Sequence, residues 1–192
     1  MNYADLSLAV PDLFAPSKTH TVVIDKDISI TLPENPWDAE NGVTATQQVT
    51  ARWANPAGDQ DSATFLAQIS AKTGTVKIAV IDDLGRRAIT IDWTTDALQI
   101  TTADWVPDAL NPERLLADIV MTYWPTDVVG DAIEDSMLVE ETMGQRTIRI
   151  NKNGRVFAVI DKPIRDPWQG VATVRNQKLG YVLSIRSQRV GP

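Results

Sequence analysis

The chain reads as a mainly β protein of the α+β class, a strongly curved antiparallel sheet of about eleven strands interrupted by an amphipathic helical insert. Three observations predict this. Apolar and polar residues alternate with period two along most of the 192 residues, the spacing of strands with one buried face. The connections between most of these stretches are too short for parallel crossovers. One stretch alone has helical spacing, and it carries its own start and stop signals.

In chain order, His20, Val22, Ile24, Lys26, Ile28, Ile30 and Leu32 share one parity, which predicts one long strand or two joined at a bulge. A Pro/Asn/Gly-rich loop from Pro33 to Gly42 follows, and then a strand with Val49, Ala51 and Trp53 on one side and Gln48, Thr50 and Arg52 on the other. After the turn Asn55-Pro56-Ala57-Gly58-Asp59 comes a meander over Ala63–Ser70, Thr75–Asp82, Arg86–Trp93 and Ala97–Thr102. Asn111-Pro112-Glu113 reads as helix cap, first-turn proline and first-turn acid. Leu115, Leu116, Ile119, Val120 and Tyr123 then make one apolar stripe that Pro125 ends, and a short second helix is expected over Thr126–Ile133. Five further strands are expected near Ser136–Met143, Arg146–Asn151, Arg155–Asp161, Val171–Asn176 and Tyr181–Ser187. Asn153-Gly154 reads as a type I′ hairpin turn, which needs positive φ at both central residues.

Composition narrows the function. The length suits one domain spanning 1–192, with residues 111–133 as a helical lid insert. A net charge of −7 and a pI near 4.7 argue against nucleic acid, whose binding rests on Lys and Arg neutralising phosphates. No apolar run reaches the roughly 18 residues of a membrane span. The absence of Cys excludes disulfides, thiolate metal sites and a Cys nucleophile within these residues. The start Met1-Asn2-Tyr3-Ala4-Asp5 has neither the basic nor the apolar region of an export signal.

Signals for catalysis are sparse. His20 is the one histidine, and no Gly-x-Ser-x-Gly elbow accompanies it, so it reads as a surface or half-buried strand residue. Asp82-Asp83 and Glu140-Glu141 are adjacent pairs whose side chains diverge on a strand, and they read as solvated charges at a turn and a strand edge. Asp59-Gln60-Asp61 lacks the remaining ligands of a calcium loop. No cofactor or metal is expected. Six tryptophans, Trp37, Trp53, Trp93, Trp105, Trp124 and Trp168, fit either a filled core or the lining of an apolar cavity.

The residues Leu115-Leu116-Ala117-Asp118-Ile119-Val120-Met121-Thr122-Tyr123-Trp124-Pro125 carry a resemblance. So do the hairpin Ile148–Ala158, Asp166-Pro167-Trp168-Gln169-Gly170 and Gly180–Ser187. Together, over about Val43 to Ser187, they resemble an uncharacterised bacterial lipoprotein family encoded in aryl-polyene gene clusters. That family is similar in architecture to LolA and LolB, the periplasmic carrier and outer-membrane receptor of lipoproteins, in which a curved sheet forms an incomplete barrel closed by helices. Leu84-Gly85-Arg86-Arg87-Ala88-Ile89-Thr90-Ile91 is similar to the turn and strand of the LolB type. The resemblance implies a monomeric, non-catalytic carrier for an acyl chain, a lipoprotein or an aryl-polyene lipid. It also implies a periplasmic location; the chain departs from the family in having no lipidated Cys, so an outer-membrane anchor is implied only if the native chain extends upstream of Asn2.

On this reading Val49, Trp53, Phe65, Ile89, Ile91, Trp93, Leu115, Ile119 and Trp124 line the hydrophobic cavity. Two other classes compete. A scaffold lipoprotein for a protein partner predicts a filled core and an exposed patch. A hydrolase or isomerase acting on an acyl substrate predicts a polar group inside the hollow, with His20, Arg52 and Tyr181 as candidates.

Overall fold

The computed structural model describes residues 19–106, 110–133 and 135–190; the Met1–Asp5 start discussed above lies outside them. Within these residues the alternation resolves into twelve strands and two helices. β1 (Thr21–Asp25) and β2 (Ile28–Thr31) form a separate antiparallel hairpin. The expectation of one strand, or two joined at a bulge, is thus corrected. The chain reverses at Lys26-Asp27, and the apolar parity carries through the two-residue turn, so Val22, Ile24, Ile28 and Ile30 all reach the same buried side.

The next five strands are β3 (Val43–Ala54), β4 (Gln60–Lys72), β5 (Thr75–Ile81), β6 (Arg87–Thr94) and β7 (Leu98–Thr102). Then come α1 (Pro112–Tyr123) and α2 (Thr126–Ile133), followed by β8 (Met137–Thr142), β9 (Gln145–Ile150), β10 (Val156–Asp161), β11 (Gly170–Asn176) and β12 (Tyr181–Arg189). The two meanders join where β12 pairs with β3, giving one antiparallel sheet in the order β7-β6-β5-β4-β3-β12-β11-β10-β9-β8. β3 and β4 are longer than their sequence pattern suggested. Their extra residues alternate small or weakly polar types, Ala45 and Ala71 inward against Thr44, Thr46 and Lys72, so the contrast is faint.

The sheet must curl. β6 and β9 stand seven steps apart in the strand order, roughly 34 Å in a flat sheet at about 4.8 Å per step. Yet Trp93 of β6 stacks on Trp124 with ring centroids 5.9 Å apart, while Arg146 of β9 donates to the Trp124 carbonyl at 2.8 Å. Only a strongly curved sheet brings both to one residue. The end strands β7 and β8 are not paired with each other, so the curl stays open.

One face of the sheet is buried from β6 to β9, through Val49, Phe65, Ile78, Ile91, Ile185, Val174, Ile160 and Ile148. The helices fill its hollow. Asn111 caps α1 by accepting from the Arg114 backbone N–H at 2.9 Å, and Pro112 occupies the first turn where its missing N–H costs nothing. All nine residues from Leu115 to Tyr123 are buried, Asp118 and Thr122 included. The amphipathic stripe therefore understates the burial of α1. The reason is the β1–β2 hairpin, which covers the far side of the helix: Arg114 donates to the Ile24 carbonyl at 3.2 Å, and Glu113 accepts from the Val23 N–H at 3.4 Å.

The turns hold a second correction. Gly154 has positive φ but Asn153 does not, and Ile150 pairs across to Arg155, so Asn153-Gly154 is the end of a four-residue loop and no type I′ turn. The pair with positive φ at both central residues is Met143-Gly144 (49° and 80°), between Thr142 and Gln145 of β8 and β9. Methionine is a poor residue for that conformation, and so the turn was not legible.

Met143→Asn is expected to raise stability by about 0.5–1 kcal/mol by relieving the left-handed strain. Gly144→Ala is expected to lower it by about 2 kcal/mol, because its Cβ would lie 2.7 Å from the Lys162 carbonyl oxygen and 2.8 Å from Ile164 Cγ1. Urea denaturation of both variants checks the pair; equal midpoints would contradict this account of the turn.

Candidate functional site

The α1–α2 corner gathers the polar and aromatic chemistry of the molecule. The last carbonyls of a helix have no partner within it, and α1 has no basic residue in its last turn. The sheet supplies the missing donors. Arg146, 1% exposed on β9, donates to the carbonyls of Met121 and Trp124, and Lys162 reaches the Thr122 carbonyl at 3.4 Å. Their charges are balanced by Glu141, which stands directly opposite Arg146 in the β8–β9 ladder, 2.6 Å from Arg146 Nη2 and 3.1 Å from Lys162 Nζ. Burial alone would raise the Glu141 carboxyl, but hydrogen bonds from Thr126, Lys162 and Arg146 and the Arg146 charge outweigh it and hold it at about 2. The notion of Glu140-Glu141 as a solvated pair is thereby corrected for Glu141.

A second buried network ties the middle of α1 to β11 and β12. The Tyr181 hydroxyl lies 2.7 and 2.9 Å from the Asp118 carboxylate oxygens and donates to them, and it accepts from Asn176 Nδ2 at 3.1 Å. Burial pushes the Asp118 carboxyl up to about 7, against the opposing effects of the Tyr181 hydrogen bond and the Arg114 charge. Burial, with the Asp118 charge beside it, also pushes the Tyr181 hydroxyl up. One turn further on, Tyr123 Oη lies 3.1 Å from Ser187 Oγ, which accepts from Gln47 Nε2 at 3.0 Å.

Four of the six tryptophans converge on the same corner. Trp124 meets Trp37 edge-on at 5.2 Å, Trp93 stacked at 5.9 Å and Trp168 at 6.4 Å, and Trp168 stacks on Tyr123 at 4.2 Å. The Trp124 indole N–H donates to the Pro36 carbonyl at 2.9 Å, which pins the Pro33–Gly42 loop to the end of α1. Between this loop and α2 opens a cleft of about 580 Å³, a size typical of small-molecule sites. Its apolar wall comes from Leu32, Pro33, Trp37, Trp124, Val128 and Ala132. Glu34 and Asp38 on the loop and Asp127 and Asp131 on α2 also line it.

A family profile described as "Protein of unknown function (DUF3261)" matches residues 44–189. The chain belongs to this DUF3261 family. No curated protein matches the sequence. Among solved structures, the chain is similar to a LolA superfamily protein, NE2245 from Nitrosomonas europaea, at 13% identity and a TM-score of 0.36. That alignment covers 76% of this chain and 84% of the other.

Of the nine residues expected to line a cavity, eight are buried on the sheet face or on the helix and belong to one continuous apolar cluster: Val49, Phe65, Ile89, Ile91, Trp93, Leu115, Ile119 and Trp124. Trp53 is half-buried on β3, opposite Tyr181 and Asp61. Trp124 alone of the nine also borders the cleft. The three polar candidates do not come together. Arg52 is exposed on the face of the sheet opposite to that of the half-buried Tyr181, whose hydroxyl is held by Asp118. His20 adjoins the β1–β2 hairpin, where its backbone carbonyl accepts from the Leu32 N–H at 2.7 Å. Sequence reasoning missed Arg146 and Asp118. Arg146 had a readable signal, a cation on the apolar parity of Ile148 and Ile150 opposite an acid of the neighbouring strand. Asp118 had none, since it lies off the apolar stripe.

Arg146→Met is expected to cost about 3–5 kcal/mol, as it strands Glu141 and the helix carbonyls without their donor; a loss under 1 kcal/mol in chemical denaturation would refute that role. The two carboxyls give opposite pH dependences. Folded Asp118 keeps its proton up to about pH 7, whereas an ordinary Asp releases it near 3.8. Its contribution is therefore full at low pH and is lost as pH rises through this window. Glu141, at about 2 against an ordinary 4.5, contributes above 4.5 and is lost toward pH 2. Asp118→Asn is expected to flatten the decline in stability between about pH 4 and 7 and leave the acid limb in place, as measured by thermal unfolding across pH.

Proposed function

We propose that this protein is a non-catalytic carrier for a hydrophobic ligand in the Gram-negative envelope, with an acyl chain, a lipoprotein or an aryl-polyene lipid as cargo. On this reading residues 1–192 act as a monomeric single domain and residues 111–133 as its lid. A lipid anchor upstream of Asn2 tethers it to the periplasmic side of the outer membrane. One observation carries the reading. Trp124 is at once a wall of the open cleft and a member of the apolar cluster on the concave sheet face. On this reading, displacement of the α1–α2 corner joins the cleft to the rest of that cluster, Val49, Phe65, Ile89, Ile91, Trp93, Leu115 and Ile119. A chain admitted along that path loses apolar surface to water at about 25 cal/mol per Å², which is enough to hold it without polar chemistry.

Release requires an acceptor of equal apolarity, such as a bilayer or a second carrier. The unpaired end strands support the reading, since an open sheet widens without breaking ladder hydrogen bonds.

Native mass spectrometry of protein purified from a Gram-negative envelope is expected to show a stoichiometric lipid, acylated peptide or polyene ester. Val128→Trp, which fills the cleft from α2, is expected to weaken uptake of a fluorescent fatty acid about tenfold with stability changed by under 1 kcal/mol. A clean apo mass together with no fatty-acid uptake by the unaltered protein would overturn the carrier reading in favour of a scaffold for a protein partner.

A further inference from the structure

Among the described residues Asp118 is the one buried acid, 7% exposed, and it enters no ion pair. Both of its carboxyl oxygens lie within hydrogen-bond distance of a single atom, Tyr181 Oη, at 2.9 and 2.7 Å. A phenol has one proton to give, so an ionised Asp118 shares one hydrogen bond between two oxygens. A protonated Asp118 makes two: the Tyr181 hydroxyl donates to one oxygen, and the Asp118 O–H donates back to Tyr181 Oη. The rest of the cluster is neutral and already paired. Asn176 Nδ2 donates to Tyr181 Oη at 3.1 Å, and Asn176 Oδ1 accepts from the Leu179 N–H at 2.8 Å. Both short contacts of Asp118 are therefore full hydrogen bonds only when it carries its proton.

The charges on the surrounding elements do not replace that proton. On α1 the Arg114 charge favours an ionised Asp118, but its Nε is committed to the Ile24 carbonyl at 3.2 Å. β12 presents Tyr181 and β11 presents Asn176, neither of them a cation. Toward the β1–β2 hairpin, Glu113 accepts from the Val23 N–H, and Asp25 pairs with Lys178 of the β11–β12 turn at 3.5 Å. An ionised Asp118 is thus a buried charge with no paired cation, a state relieved by protonation or by exposure to water. Exposure requires the helix to part from β11 and β12. We infer that Asp118, Tyr181 and Asn176 form a proton-operated latch: α1 stays seated on β11 and β12 while Asp118 is protonated, and loss of that proton loosens the helix. This rests on the carrier reading above, in which α1 belongs to the lid, and supplies its regulation. The lid is held in acid and released toward neutral pH. Burial lifts the Asp118 carboxyl to about 7 from an ordinary 3.8, so the hold is full below this window and is lost as pH rises through it.

Backbone hydrogen exchange between about pH 5 and 8, with each rate divided by that of an unstructured peptide at the same pH, reads the latch without any ligand. The α1 amides are expected to be less protected than those of β3 and β4. Their protection is expected to fall about tenfold per pH unit up to about pH 7 and to level beyond it. Asp118→Asn, whose amide can donate to Tyr181 Oη and accept from its hydroxyl as the acid does, is expected to hold α1 protection constant over the same range. Tyr181→Phe, which removes the shared hydroxyl, is expected to lower α1 protection about tenfold at pH 5. If α1 is as protected as β3 and β4 at every pH, so that it leaves only when the whole fold opens, or if Asp118→Asn keeps the pH dependence, the latch is overturned and the carrier reading stands. If exchange behaves as expected but the unaltered protein takes up no fluorescent fatty acid at either end of the pH range, the helix latch stands and the carrier reading alone falls.

Discussion

A helix that ends inside a protein leaves carbonyl oxygens facing a medium with no water to satisfy them, and the fold is arranged around that constraint. The end of α1 lies in the hollow of the sheet and carries no cation of its own. Arg146 and Lys162, from the sheet half that follows the helix in sequence, donate to the carbonyls of Met121, Thr122 and the capping residue Trp124. Two buried cations require an anion, and the ladder places Glu141 directly across from Arg146. The helix is thus bonded to the second meander, while its Trp124 ring stacks on Trp93 of the first. A single corner of chain holds the two arms of the curl.

That arrangement explains why aromatic residues and the cleft occur together. Trp124 follows the last helical residue, and its backbone extends before Pro125 turns the chain into α2. Its carbonyl points to Arg146, its indole N–H to the Pro36 carbonyl and its ring to three other tryptophans. The loop held by Pro36 and the helix beginning at Thr126 diverge from this point, and the space between them is the cleft. The Asp118–Tyr181 pair lies deeper, on the same helix, and joins α1 to β12 near the centre of the sheet.

Strand identity and the helices were legible in the sequence because they depend on periodicity and capping, which are local. Ile89, Ile91 and Trp93 alternate against Thr90 and Asp92, and Asn111-Pro112 starts the helix where the rules of orphan N–H groups place it. What escaped was set by partners far along the chain. The Val22–Leu32 parity fits a continuous strand as well as a hairpin, and only the contact with α1 distinguishes them. Met143 takes a left-handed conformation that its side chain disfavours, imposed by the flanking ladder. Asp118 is buried with its carboxylate on the Tyr181 hydroxyl of β12, a partner no helical wheel reveals. Among the candidate site residues, alternation found the buried face that holds Val49, Phe65 and Ile91, but the cleft is built by the Pro33–Gly42 loop and α2, where periodicity carries no information.

The stacked pairs have an optical consequence. Trp93 with Trp124 and Tyr123 with Trp168 are nearly parallel, at 21° and 20°, and close enough for their transition dipoles to couple. Such coupling lends the aromatic ultraviolet bands a circular dichroism whose size falls steeply with separation and changes with the angle between the transition dipoles. Trp105 lies instead under the Arg86 guanidinium, and Trp53 is half-buried outside the cluster. The chain consequently carries a built-in gauge of whether the helix corner is seated, readable without a label.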